Sequence, residues 1–156
     1  MPIPAWAPLG LLPPGVHLAT LADIEAHLCW NPHRAALWEG GLQFLRYLSS
    51  QGMVYGIGIG GGFTTTKPLP ADVDIILDLT QASDAHQQKG CQWFNERRTE
   101  FKTTYSIDFL INLPSNSDFF SFLQYVGPKS AMQTGLKEKD LKGVLRVQSW
   151  ADGLKT

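Results

Sequence analysis

Three aspartates stand where a carboxylate needs a reason. Asp72 and Asp74 alternate in Asp72-Val73-Asp74-Ile75, and Asp108 sits in Ser106-Ile107-Asp108-Phe109. In an extended chain residues i and i+2 point to one face, so Asp72 and Asp74 stand side by side. Adjacent carboxylates repel, and burial without a partner adds a further cost. A divalent cation relieves both, because Mg²⁺ takes oxygen ligands and commonly uses one or two carboxylates plus substrate phosphates. Asp108 lies among Ile107, Phe109 and Ile111, an apolar setting in which an aspartate needs a partner. Convergence of the three predicts a catalytic site holding Mg²⁺ or Mn²⁺, one ion activating an attacking oxygen and one steadying the leaving group. The plain alternative puts Asp72 in a turn and Asp74 on a solvated sheet face.

The loop before this strand favours the metal reading. Gly60-Gly61-Gly62 ends a strand, and consecutive glycines let backbone N–H groups approach an anion closely. A phosphate cradle beside a metal site is what triphosphate chemistry requires, since charge develops on phosphate oxygens. Gly61, Gly62, Thr64 and Lys67 are the candidate nucleotide contacts. Lys67 would add a point charge to the phosphates, or else stand as a solvated lysine.

The elements that must carry these groups can be read along the chain. Residues 1–19 form a Pro-rich, extended lead-in, because each proline removes a donor and restricts its predecessor. Thr20 with Asp23 resembles a capping box and starts a helix to about Trp30. Asn31-Pro32 starts a second helix, with Leu37, Leu42, Leu45 and Leu48 near one face, Gly40 and Gly41 weakening its middle, and Gly52 as a stop. Met53–Ile59 predicts a glycine-rich strand, 60–71 a loop, and Asp72–Leu79 the clearest strand. That strand turns Val73, Ile75, Leu77 and Leu79 to one face, and Asp72, Asp74, Ile76 and Asp78 to the other. A helix is expected over 83–101, with Gly90 as its weak point, then a strand over 103–112 ended by Pro114. A short helix is expected over 118–125, and 143–148 reads as a last strand or an ordered tail. The order predicts one α/β (α+β) domain over 1–156, a small mixed sheet with packed helices.

At these residues the chain resembles a known superfamily. Gly61-Gly62, a spacer, and Asp72-Val73-Asp74-Ile75 are similar to the signature of the DNA polymerase β-like nucleotidyltransferases. The resemblance implies the nucleotidyltransferase-like fold, Asp72, Asp74 and Asp108 as metal ligands, and the glycine turn as a phosphate contact. Leu12-Pro13-Pro14-Gly15-Val16-His17, Gly61-Gly62-Phe63-Thr64-Thr65, Pro70-Ala71-Asp72-Val73-Asp74 and Lys142-Gly143-Val144 also resemble an uncharacterised family of small bacterial nucleotidyltransferase-like proteins. The usual loop of that family is closer to Asp-Gly-Ser-Phe; here Gly60 and Gly62 replace the Asp and Ser, and a phosphate-contacting hydroxyl is absent.

Competing signals are weaker. Gly56-Ile57-Gly58-Ile59-Gly60-Gly61 fits the dinucleotide fingerprint, but that fingerprint must open a helix, and Pro68 and Pro70 follow. No Gly-Lys-Ser/Thr is present for a P-loop. His17, His27, His33 and His86 lack zinc spacing, and His17 reads as a structural histidine. Trp93, Phe94, Phe101, Phe119, Phe120 and Phe122 would stack a base or, more simply, fill a core. Arg97 and Arg98 would touch phosphates or, more simply, stand on a solvated helix face.

Composition limits the rest. The formal charge is −1 over 156 residues, so no global basic field draws the protein to nucleic acid. Two cysteines, Cys29 and Cys91, give no disulfide framework and read as reduced thiols. Residues 1–14 lack the basic start of a signal peptide, and no apolar run reaches membrane length, so a cytoplasmic protein is expected. The expected activity moves a nucleoside monophosphate from a nucleoside triphosphate to a protein or RNA hydroxyl. By analogy with the superfamily, a toxin–antitoxin or phage-defence pair is the expected setting. The alternative is an inactive binding module of the same fold: an antitoxin, an immunity protein or a nucleotide sensor. A third reading is a structural α/β domain whose acidic strand binds nothing.

Overall fold

The computed structural model describes residues 3–7, 10–114, 118–125 and 141–154. Five strands form one mixed sheet: β1 (Val16–Leu18), β2 (Ile57–Gly60), β3 (Val73–Asp78), β4 (Ile107–Asn112) and β5 (Val144–Val147). Their order across the sheet is β1-β5-β2-β3-β4. The outer pairs β1/β5 and β3/β4 are parallel, and β2 is antiparallel to both β3 and β5. The helices are α1 (Leu21–Leu28), α2 (Pro32–Ser50), α3 (Asp84–Glu96), α4 (Arg98–Tyr105), α5 (Phe119–Phe122) and α6 (Trp150–Gly153). This is a small α+β fold, as the sequence predicts. Among the described residues no helix is long and apolar enough to cross a membrane.

The start signals act as read. Thr20 and Asp23 exchange capping-box hydrogen bonds at α1, and the Asn31 side chain accepts from the Arg34 amide at α2, with Pro32 in its first turn. Gly52 follows α2 at φ +71°. The lead-in contributes β1, and the segment after Lys142 is a strand, β5, inside the sheet.

Three expectations need correction. Strand pairing begins only at Ile57, so Met53–Gly56 precede β2 and are not part of it. The helix over 83–101 is two helices, broken at Arg97 (φ −122°, ψ 6°). Helix α4 then runs through Thr103-Thr104-Tyr105, which β-propensity assigns to the next strand. Packing overrides propensity here: α4 buries Phe101 with its ring centroid 5.0 Å from that of Phe44 and 5.3 Å from that of Phe109. Ser106, in the left-handed region at φ 57°, turns the chain into β4.

The sheet has two unlike faces. Ile57, Ile59, Val73, Ile75, Leu77, Ile107, Phe109, Ile111, Leu145 and Val147 enter the main core beneath α1 to α4. The other face carries Asp74, Ile76 and Asp78 of β3, the aligned Asp108, Leu110 and Asn112 of β4, and Val144 and Arg146 of β5. On this face β2 presents only Gly58 and Gly60. A Cβ at Gly58 would lie 2.5 Å from the Phe120 ring, and one at Gly60 would lie 2.8 Å from Leu123. The alternation Ile-Gly-Ile-Gly therefore makes a groove that α5 fills, with Phe120 and Leu123 packed on Ile76, Leu110 and Val144.

Candidate functional site

The three aspartates come together at one end of the α5-bearing face. Asp74 is the register partner of Asp108 on β4 and of Gly60 on β2. Partners in a parallel pair share a face, so the two carboxylates lie on adjacent strands at one level. Asp72 stands just before β3, beside Asp74. Burial pushes the Asp74 carboxyl up to about 7, and the charges of Asp72 and Asp108 push in the same direction, while Lys142 opposes them.

The two flanking carboxylates have cations. Arg98 Nη2 is 2.5 Å from Asp108 Oδ1, with its guanidinium carbon 4.8 Å from the Phe94 ring centroid. Lys102 Nζ is 3.2 Å from Asp72 Oδ2. Both cations come from α4, one helical turn apart, so the unexpected break at Arg97 is what aims them at the site. Arg98 is half-buried and not part of a solvated face. Arg97 turns away to Glu100 and to the Tyr47 hydroxyl at 2.5 Å. Among the described residues, no cation lies within ion-pair distance of Asp74.

The glycine turn lies directly against Asp74. Gly61–Thr64 form a 3₁₀ turn, not the helix a dinucleotide fingerprint requires. Gly61 has φ +76°, and a Cβ there would lie 2.6 Å from Asp74 Oδ2. Only glycine meets both conditions. Thr64 is wholly buried and its hydroxyl donates to the Gly61 carbonyl at 3.0 Å, so this side chain holds the turn from within. Thr65 does the same for Gly62 at 2.7 Å. Lys67 is exposed, and its stem folds back so that its Cδ would meet a Cβ on Gly62 at 3.4 Å.

Two more residues beside this site were given no role by sequence reasoning. Arg34, fully buried at the start of α2, donates to Leu28 O at 2.5 Å, to Lys67 O at 2.6 Å and to Phe63 O. Its guanidinium lies 4.8 Å from the Phe63 ring centroid and 5.2 Å from that of Trp30. Asn31 donates to Pro68 O at 2.8 Å, and His33 Nε2 is 2.6 Å from Pro70 O. The first turn of α2 thus pins the backbone from Phe63 to Pro70. The available signal was an arginine on the helix face of Leu37, Leu45 and Leu48. The second residue is Lys142, 6% exposed, just before β5. Burial lowers its pKa, while Asp74 pulls it up and Lys67 pulls it down, so all three charges share one region. The alternation Lys142, Val144, Arg146 was its signal.

Other candidates resolve into structure. His17 Nε2 is 2.7 Å from Pro13 O, a fold contact as expected. Trp93, Phe101 and Phe120 are core residues. Cys29 and Cys91 are free, and burial pushes the Cys29 thiol up to about 11. At the far end of the same face a cavity of about 400 Å³ is lined by Asp78, Thr80, Asn112, Phe120 and Arg146 among others. There Arg146 Nη2 binds Asp78 Oδ2 at 2.7 Å, Thr80 donates to Asp78 Oδ1 at 2.7 Å, and Asn112 donates to Asp118 at 2.9 Å, so its polar groups satisfy one another.

The oxygen-only donor set of Asp72, Asp74 and Asp108 suits a hard cation such as Mg²⁺. In the structure two of the three are engaged by Arg98 and Lys102. Among the described residues no group of three or more His, Cys, Asp or Glu side chains is arranged to hold a metal ion. The chain belongs to the DUF6932 family, a family of unknown function whose model matches residues 4–148. No curated protein and no solved structure matches the chain.

Proposed function

We propose that this protein is a metal-dependent nucleotidyltransferase related to the DNA polymerase β-like superfamily. Its donor would be a nucleoside triphosphate and its acceptor a protein or RNA hydroxyl. The observation that carries the reading is Asp74: a largely buried carboxyl flanked by two others and resting on a left-handed glycine turn. Asp72, Asp74 and Asp108 would hold Mg²⁺ or Mn²⁺, which when bound neutralises phosphate charge and lowers the pKa of the attacking hydroxyl. Gly61 and Gly62 offer backbone donors to the phosphates beside those carboxylates. Arg34 keeps the turn and Lys67 in place without touching substrate. Arg98 and Lys102 stabilise Asp108 and Asp72 while no metal is bound. Free cysteines and a triphosphate donor fit a cytoplasmic setting. A toxin–antitoxin or phage-defence pair remains the proposed context, by analogy with the superfamily alone.

A second reading is a binding module of this fold without turnover. The ion pairs of Arg98 with Asp108 and Lys102 with Asp72 favour it, since they stabilise two of the carboxylates without metal. Pyrophosphate release separates the two readings. The enzyme releases pyrophosphate from a nucleoside triphosphate plus Mg²⁺ and an acceptor-containing cell extract, and Asp74→Ala stops it. A binding module releases none, and its nucleotide or protein binding survives the substitution.

A further inference from the structure

Arg34 links the loop to a run of aromatic rings that ends at the surface. Its guanidinium carbon lies 4.8 Å from the Phe63 ring centroid and 5.2 Å from that of Trp30. Phe63 in turn stacks on Trp38, with 5.8 Å between centroids and 16° between planes. Trp38, Phe63, Arg34 and Trp30 therefore make one continuous run of contacts. Its inner three members are buried, and Trp30 closes it with 47% of its area exposed. The other four tryptophans are buried or half-buried. The backbone of Trp30 is fixed, because it lies between Cys29, which caps the end of α1, and Asn31, which caps the start of α2.

This exposed end is close to the glycine turn. Arg34 donates to Lys67 O at 2.6 Å and to Phe63 O, and Phe63 belongs to the turn itself. The Lys67 side chain lies against Gly62, where a Cβ would be 3.4 Å from its Cδ. One arginine thus joins the Trp30 ring to the turn, a span that a single nucleoside triphosphate covers. A cation against one side of an indole draws its electron density toward that side, so the open side favours a further aromatic ring over a second cation. A flat ring carried on a phosphate chain is the complement of that arrangement.

We propose that Trp30 is the platform on which the base of a purine nucleoside triphosphate stacks. This rests on the proposed function and deepens it. Phosphates held at the glycine turn leave the base to settle at the junction of α1 and α2. A two-ring base covers more of the indole than a one-ring base, so the platform selects ATP or GTP over UTP or CTP.

The test is calorimetric titration in Mg²⁺ with ATP, UTP and inorganic tripolyphosphate, which has the phosphates without a nucleoside. Wild type is expected to bind ATP more tightly than either other probe. Trp30→Ala should weaken ATP about tenfold and leave tripolyphosphate unchanged, which also shows that the variant is folded. Trp30→Phe keeps a ring on Arg34 and should keep part of the affinity, while losing the quenching of tryptophan emission that ATP causes in wild type. It decides the outcome if Trp30→Ala does not fold. Undiminished ATP binding in Trp30→Ala, or quenching kept in full in Trp30→Phe, overturns the platform and leaves the nucleotidyltransferase reading intact. An equal loss for ATP and tripolyphosphate marks a purely structural role and overturns it too, as does equal wild-type affinity for ATP and UTP. If wild type binds neither ATP nor tripolyphosphate, the platform and the proposed function fail together.

Discussion

Replacing Asp74 by asparagine keeps the side chain's size and removes its charge. The Asp74 carboxyl titrates at about 7 in the folded protein, against 3.8 for an unperturbed aspartate. Between those values the folded state holds a proton that the unfolded chain has released. Stability therefore falls as pH rises, by about 1.4 kcal/mol per pH unit at most, and levels above pH 7. Over the whole interval one group accounts for about 4 kcal/mol, a large share of the 5–15 kcal/mol typical of a domain. Asparagine has no such titration, so ionisations remote from the aspartate cluster largely cancel in the comparison. The variant is expected to match wild type near pH 3.5 and to exceed it by about 4 kcal/mol at pH 7.5 without divalent ions. Urea unfolding in EDTA at half-unit steps from pH 3.5 to 8 measures this. A difference that stays flat with pH would refute the buried, repelled carboxyl; so would an asparagine variant less stable than wild type at pH 7.5.

Three further outcomes are expected. Gly61→Ala forces a Cβ into the left-handed region and within 2.6 Å of Asp74 Oδ2, costing about 1–3 kcal/mol in thermal unfolding and more than tenfold in nucleotide affinity. Arg34→Met leaves the carbonyls of Leu28, Phe63 and Lys67 without their donor. It should cost about 3 kcal/mol and speed chymotryptic cleavage after Phe63, whereas unchanged cleavage would mean the loop holds itself. Cys29, with its thiol at about 11 against a usual 9.0, should label about 100-fold more slowly than an unburied cysteine at pH 8, read with a thiol reagent on Cys91→Ser.

How much was legible in the sequence depended on whether the cause was local. Helix starts at Thr20 and Asn31 were, because a cap is a short-range hydrogen bond. So was the Asp72–Leu79 strand, where alternation states both faces at once. The joining of Asp74 to Asp108 was legible only as convergence; the parallel pairing that sets them level needed the fold. The α3/α4 break was hidden, since Phe101 wins its place through Phe44 and Phe109, which are remote in sequence. That break then hid the partners of Asp72 and Asp108, because Arg98 and Lys102 reach them only from a helix that extends to Tyr105. Gly40 and Gly90 read as weak points in helices, yet each permits a close approach: a Cβ would lie 2.3 Å from Tyr105 O at the first and 2.2 Å from Leu79 at the second. Arg34 and Lys142 were given no role because a lone basic residue says nothing until its surroundings are known.

Thermal unfolding of wild type and Asp72→Asn/Asp74→Asn, with Mg²⁺ and each nucleoside triphosphate in turn, addresses the metal–triphosphate site most directly. A ligand at about 100 times its dissociation constant stabilises a folded protein by about 2.7 kcal/mol. Wild type is predicted to gain that much with at least one nucleotide, only when Mg²⁺ is present, and the double variant is predicted to gain nothing. No gain with any nucleotide, or an equal gain in the double variant, would contradict a metal–triphosphate site at these aspartates.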